Sequence, residues 1–215
     1  MLSLGVEKLK TYSIIPVTPD VLHESMVEYS SPKDKISSLT HEGILLRLRR
    51  GLYSIPRAIT GESLSRELIA NHLYGPSYVS FESALSYYGL IPERVYVTKS
   101  ATLKRKKSYN TPVGHYQYIH VPEAYYPTGL RLEIIEDAYA YMIASPEKAV
   151  CDLILSTSGL RLQSVKSCGE YLLNDLRIDI EAIVRFDANI IQECMHTGYK
   201  RADMRHLLAF IKKIQ

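Results

Sequence analysis

Residues 31–55 read SPKDKISSLTHEGILLRLRRGLYSI, and two incompatible periodicities meet inside that stretch. Ser31, Pro32 and Asp34 are helix-start residues: a cap, a first-turn proline and an acid beside free N–H groups. Gly43 marks the stop, as a left-handed cap. At 100° per residue Ile36 and Leu39 fall on one side, and Asp34, Ser37, Ser38 and His41 on the other. The apolar stripe is narrow, so one side packs and the rest is a slim polar face of a size that enters a major groove, with Lys33 and Lys35 flanking it at phosphate height. From Leu46 the period becomes two: Leu46 and Leu48 inward, Arg47 and Arg49 outward, a turn at Arg50-Gly51, then Tyr53 and Ile55. A helix followed by a two-stranded ribbon with three arginines at one end is expected, the pattern of a winged helix-turn-helix. The competing reading is an ordinary surface helix and hairpin whose arginines solvate an exposed edge. Against it, no acid occurs between Ile44 and Arg57, whereas solvated surfaces usually mix signs.

Working outward, Thr18 and Pro19 open an earlier helix to about Met26, and LGVEKLKTY at 4–12 a short one before it, with Leu4, Leu9 and Val6 facing inward. Helix, helix, reading helix and wing in that order follow the winged-helix plan. PRAITG at 56–61 is a break, which places a DNA-binding unit at 1–58 and a second unit at 62–215. In the latter, helices are expected at 62–73 and from Ser80 to Gly89. The period then shortens to two in VYVTKS (95–100), HYQYIHV (115–121), LRLEII (130–135) and AYAYMIA (138–144), which predicts an antiparallel sheet. Ser145-Pro146-Glu147 starts a helix to Leu155, and helices follow at about 162–174, 179–185, 188–196 and 201–213. The fold class is therefore α+β, with a helical C-terminus.

The formal net charge of the 215 residues is only +3, so nucleic-acid affinity must come from local clusters. Two qualify: 47–57, and Lys104, Arg105, Lys106 and Lys107 in a loop or hairpin between strands. The second reads either as a solvated loop or as a further phosphate contact. No basic-then-apolar leader and no spanning run of about 20 apolar residues is visible, so a cytoplasmic protein without membrane contact is expected. Cys151, Cys168 and Cys194 are odd in number and far apart in sequence, fitting neither a disulfide framework nor a zinc site.

No phosphate loop, nucleophile elbow or zinc-protease motif occurs, and no lysine has an acid two positions before it. Glu147 is explained by a helix start, and Lys148 with Asp152 is an ordinary i,i+4 pair. No enzymatic activity, cofactor or metal is expected. The alternatives are a nucleotide- or nucleic-acid-acting enzyme domain targeted by the first unit, motivated by the basic loop beside a tyrosine-rich sheet, and a protein-interaction scaffold.

Four stretches taken together resemble the AbiEi-like antitoxin family of type IV abortive-infection toxin–antitoxin systems: KDKISSLTHEGILLRLRRGLY (33–53), GPSYVSFESALSYYGLIPERV (75–95), TPVGHYQYIHV (111–121) and IASPEKAVCDLI (143–154). The resemblance implies an N-terminal winged helix that binds inverted repeats in double-stranded DNA of its own promoter, with two copies on the DNA, and a C-terminal domain carrying antitoxin activity. It also implies a neighbouring nucleotidyltransferase-like toxin that is opposed without a stable complex. By position, DNA contacts would fall on Lys33, Lys35, Ser37, Ser38 and His41 of the helix and on Arg47, Arg49 and Arg50 of the ribbon. Asp34 and Glu42 put acids beside that helix, which favours phosphate binding over base reading.

Overall fold

The computed structural model describes residues 9–12 and 14–215; the expected first helix therefore lies largely outside the described residues. A 3-10 turn at Lys10–Tyr12 leads into α1 (Pro19–Ser25) and α2 (Pro32–His41), and then the ribbon β1 (Leu46–Arg49) and β2 (Leu52–Ser54). Pro19 and Pro32 occupy first-turn positions, as read. The two capping hydroxyls do not act as expected. Neither Thr18 nor Ser31 accepts a backbone N–H from its helix, and Ser31 Oγ instead donates to Asp34 Oδ2 at 2.6 Å. Gly43 does take the left-handed conformation, with φ +73°, where an L side chain would be strained.

Ile36 and Leu39 are buried and join Leu9, Val17, Leu22, Met26, Leu45 and Ile55 in a small N-terminal core. Burying each large aliphatic side chain contributes roughly 1.5–3 kcal/mol, which is why so narrow a stripe still fixes the helix. Val17 pairs with Tyr53, its N–H donating to the Tyr53 carbonyl at 2.8 Å and its carbonyl accepting the Tyr53 N–H at 2.9 Å. The segment before α1 thus adds one rung to the ribbon.

The presumed linker is itself ordered: α3 (Arg57–Thr60) is a single turn ended by Gly61. Beyond it come α4 (Arg66–Leu73), β3 (Ser77–Val79), α5 (Phe81–Tyr87), β4 (Val97–Thr102), β5 (Lys107–Thr111), β6 (Gly114–His120), β7 (Leu130–Ile135) and β8 (Tyr139–Ala144). Then follow α6 (Pro146–Ser156), α7 (Val165–Glu170, continued by a π turn to Asp175), α8 (Ile180–Val184), α9 (Ala188–His196) and α10 (Arg201–Ile214). The molecule is α+β, as expected. The strands form one sheet in the order β5-β6-β4-β3-β8-β7. Its pairings are antiparallel for β5–β6, β3–β4 and β7–β8 but parallel for β4–β6 and β3–β8. The sheet is therefore mixed rather than antiparallel throughout. The reason is insertion: β6 enters between β4 and the hairpin partner β5, and β8 returns to lie beside β3.

Helix α6 runs through the interior, with every residue from Glu147 to Ile154 buried. Ser145 caps it, accepting the Lys148 N–H at 3.3 Å. The pair read as ordinary is the least ordinary feature of the molecule: Lys148 Nζ lies 3.5 Å from Asp152 Oδ1 and both side chains are wholly buried. Burial pushes the Asp152 carboxyl up, against the opposing pull of Lys148 and Ser80. Asp152 Oδ2 accepts from Ser80 Oγ at 2.5 Å; Lys148 Nζ donates to the Tyr125 carbonyl at 2.8 Å and sits 3.2 Å from the Tyr125 ring centre. Glu147, also buried, accepts the Asp187 N–H at 2.9 Å. The network ties α6 to the β3–α5 junction, to the turn at 123–125 and to the start of α9. The network is a polar joint within the core.

All three cysteines are buried thiols. Two that are far apart in sequence converge: Cys151 and Cys194 share a hydrogen bond that raises the former and lowers the latter.

Candidate nucleic-acid interface

The polar face of α2, the start of α1 and one face of the ribbon enclose a groove of about 600 Å³. Lys33, Ser37 and His41 line it from α2; spaced four apart, each is turned about 40° from the one before, so the three span about 80° of the helix and form one edge. Arg47 and Arg50 line the opposite wall. His23 of α1 and Tyr53 of β2 complete it, and neither was singled out in the sequence. No charge cluster or spacing marks His23 in the sequence; it reaches the groove because α1 packs against α2 through Leu22, Ile36 and Leu39.

Three expected contacts lie elsewhere. Lys35 projects to the other side of α2, its Nζ 5.2 Å from the centre of the Tyr29 ring. Ser38 donates to Glu42 Oε1 rather than facing the groove. Arg49 is the clearest correction. Strict alternation points it outward with Arg47, but a bulge between them resets the register, so Arg47 pairs with Tyr53 and Arg49 with Leu52. Directly paired residues share a face. Arg47 therefore goes with Tyr53 to the groove, while Arg49 follows Leu52 to the second unit. There its Nε donates to the Leu73 carbonyl at 2.8 Å and its Nη1 to the Arg50 carbonyl at 2.9 Å. Leu48 and Leu52 belong to the larger core, so the back of the ribbon is a joint between the two units.

The second basic cluster lies close by. Lys104, Arg105 and Lys106 form the turn before β5, which Lys107 begins. The Tyr74 hydroxyl donates to the Arg105 carbonyl at 3.3 Å, and Lys104 and Lys107 hold their ammonium groups 5.2 and 5.4 Å from the centre of the same ring. Lys104 also donates to the Gly75 carbonyl. Because Arg49 donates to the carbonyl of Leu73, the residue before Tyr74, and β1 packs beside β5, Arg47–Arg50 and Lys104–Lys107, more than 50 positions apart in sequence, become neighbours. The acids near α2 are both engaged locally, Asp34 by Ser31 and Glu42 by Ser38. The groove's lining includes Pro19, Ile36 and Tyr53, and its charged and hydrogen-bonding groups are Lys33, Arg47, Arg50, Ser37, Thr40 and the two histidines, a set suited to an anionic backbone.

No helix among the described residues is long and apolar enough to cross a membrane. No family model matches the chain, and no curated protein does. Among solved structures the chain is similar to the crystal structure of the RV2827C protein from Mycobacterium tuberculosis, at 14% identity, with a TM-score of 0.55 over 98% of this chain and 80% of the other. At that identity the likeness concerns the fold alone.

Proposed function

We propose that the chain is a DNA-binding transcriptional autoregulator and the antitoxin of a type IV toxin–antitoxin system, acting in the cytoplasm. The observation that carries the DNA half is the groove. A slim helix presents Lys33, Ser37 and His41 on one edge, and an adjoining ribbon presents Arg47 and Arg50 facing it. Read as a winged helix-turn-helix, α1 crosses the backbone, α2 enters the major groove and the ribbon follows the flanking phosphates. Lys33, Arg47 and Arg50 neutralise phosphates, while Ser37 and His41 reach base edges. With serine and histidine in place of an arginine or asparagine fork, base reading is sparse, and specificity leans on paired copies at an inverted repeat and on DNA shape.

The antitoxin half is supported by the resemblance of residues 33–154 to AbiEi-like proteins and assigns that activity to the second unit, opposing a nucleotidyltransferase-like toxin without a stable complex. Two measurements test the reading. Binding to the DNA upstream of the gene should exceed binding to a scrambled duplex of equal length; equal affinity for both removes the operator. Co-expression with the toxin of the neighbouring gene should restore growth, with residues 62–215 sufficient for it; unrelieved growth arrest removes the antitoxin assignment.

A further inference from the structure

The two edges of the six-stranded sheet are built differently. At one end β5 begins with Lys107 and lies beside the ribbon, a charged and covered edge of the kind that blocks further pairing. At the other end, among the described residues, β7 is hydrogen-bonded only to β8. Its sequence, LRLEII, contains no proline, glycine or lysine, and its register with β8 runs unbroken from Leu130↔Ala144 to Ile135↔Tyr139. Proline, a bulge and a lysine are absent from it, and its only charged side chains, Arg131 and Glu133, are of opposite sign. Leu132 and Ile134 point from it into solvent, 59% and 60% exposed, two of the more exposed large apolar side chains among the described residues.

The strand is also self-complementary. Laid antiparallel against itself about a two-fold axis at Leu132, it sets Leu130 opposite Ile134, Leu132 opposite Leu132, and Arg131 opposite Glu133. Each two-fold pairing gives two Arg–Glu contacts on one face and an apolar row on the other, where Leu132 and Ile134 already adjoin Met142 and Ala140 of β8. Cross-strand pairs of opposite charge and of apolar side chains are what stabilise a sheet, and a surface that matches itself is what a two-fold dimer requires. Within one chain Arg131 and Glu133 both meet Tyr88, the guanidinium 5.8 Å from its ring centre and Glu133 Oε1 accepting its hydroxyl at 3.4 Å, and Glu133 lies opposite Tyr141 of β8. Those contacts are weak and leave both charges available.

We propose that β7 pairs antiparallel with β7 of a second copy of this chain, joining the two sheets into one across a dyad at Leu132. The occupant is a second copy because charge and apolar positions match under that one operation. The pairing does not depend on the groove binding DNA, although a dyad-related pair of grooves suits an inverted repeat.

Sedimentation velocity over a protein-concentration series tests it, on the wild type, Arg131→Glu, Glu133→Arg and the double variant, with circular dichroism to verify folding. The wild type should dimerise reversibly. Each single variant sets like charges opposite each other twice and should raise the dissociation constant at least about tenfold. The double variant restores opposite signs and should recover dimerisation. Leu132→Arg, which brings two cations together at the dyad, should dissociate the pair and serves if either single variant fails to fold. A wild type monomeric at every concentration overturns the proposal and leaves the edge to a strand from another protein. A wild-type dimer that the single variants and Leu132→Arg do not weaken, or that the double variant does not recover, overturns it in favour of another surface.

Discussion

Two arginines two positions apart have opposite tasks, and the chain shows why type and spacing did not separate them. Arg47 and Arg49 share an exposed-looking alternation, but the bulge between them sends one to the groove and the other to the Leu73 carbonyl. A bulge is one extra residue in a ladder, and LRLRR contains no glycine or proline to announce it. Their substitutions should accordingly diverge. Arg49→Ala should lower stability by about 1 kcal/mol through the lost hydrogen bonds and leave the salt dependence of DNA binding unchanged, as chemical denaturation and fluorescence anisotropy would record. Arg47→Ala should do the reverse, flattening the salt slope by about one unit. The helix was more legible than the ribbon: Ile36 and Leu39 are buried as the 3.6 period requires, and Lys33, Ser37 and His41 share an edge. Lys35 and Ser38 were misplaced because the polar positions of α2 cover a wide arc and the sequence does not say which part faces the ribbon.

Among the elements, α6 departs furthest from its reading. Its cap, proline and length were visible in SPEKAVCDLI, yet its charges looked like a surface pair and are buried instead. Periodicity could not reveal this, because Glu147, Lys148 and Asp152 interrupt the apolar run in the manner of an amphipathic helix. Only their partners Ser80, Tyr125 and Asp187, brought in from other elements, make their burial tolerable. Removing one member of a buried pair strands the other. Lys148→Met should therefore destabilise the protein by roughly 3–5 kcal/mol, while Lys148→Met with Asp152→Leu should recover much of that loss. The single variant should also change the pH dependence. Burial already holds the folded Asp152 carboxyl above its unfolded value, so its contribution to stability is greatest below the unfolded value and is lost as pH rises. Without the Lys148 ammonium the rise is larger, and the deficit relative to wild type should shrink as pH falls below about 4. A deficit independent of pH in urea melts would show that the ammonium does not set the carboxyl's environment. β5 escaped detection for a different reason: KSYNT has one apolar side chain, Tyr109, which packs against the core, and its remaining residues are polar at a largely exposed sheet edge.

At the scale of the whole molecule, a chain that reads as two units joined by a break at 56–61 is coupled more closely than that. Leu48 and Leu52 pack into the larger core while Leu45 and Ile55 pack into the smaller, so the ribbon is shared. The α+β class and most strand positions could be read from residues 62–215, but not the two parallel pairings, which depend on where each returning strand inserts. A shared ribbon should make unfolding cooperative: calorimetry of the full chain should give one transition, and the fragment 62–215, deprived of its cover over Leu73 and β5, should melt at a lower temperature. Two separated transitions in the full chain would show that the joint does not couple the units.

The central claim is that the groove between α2 and the ribbon holds DNA. It is tested most directly by promoter affinity across a salt series for wild type, for Arg47→Ala with Arg50→Ala, and for Lys35→Ala, whose side chain turns to Tyr29. The double variant should bind more weakly, with a slope flatter by about two units, and Lys35→Ala should match the wild type. Equal affinity and equal slope for the double variant and the wild type would contradict the account.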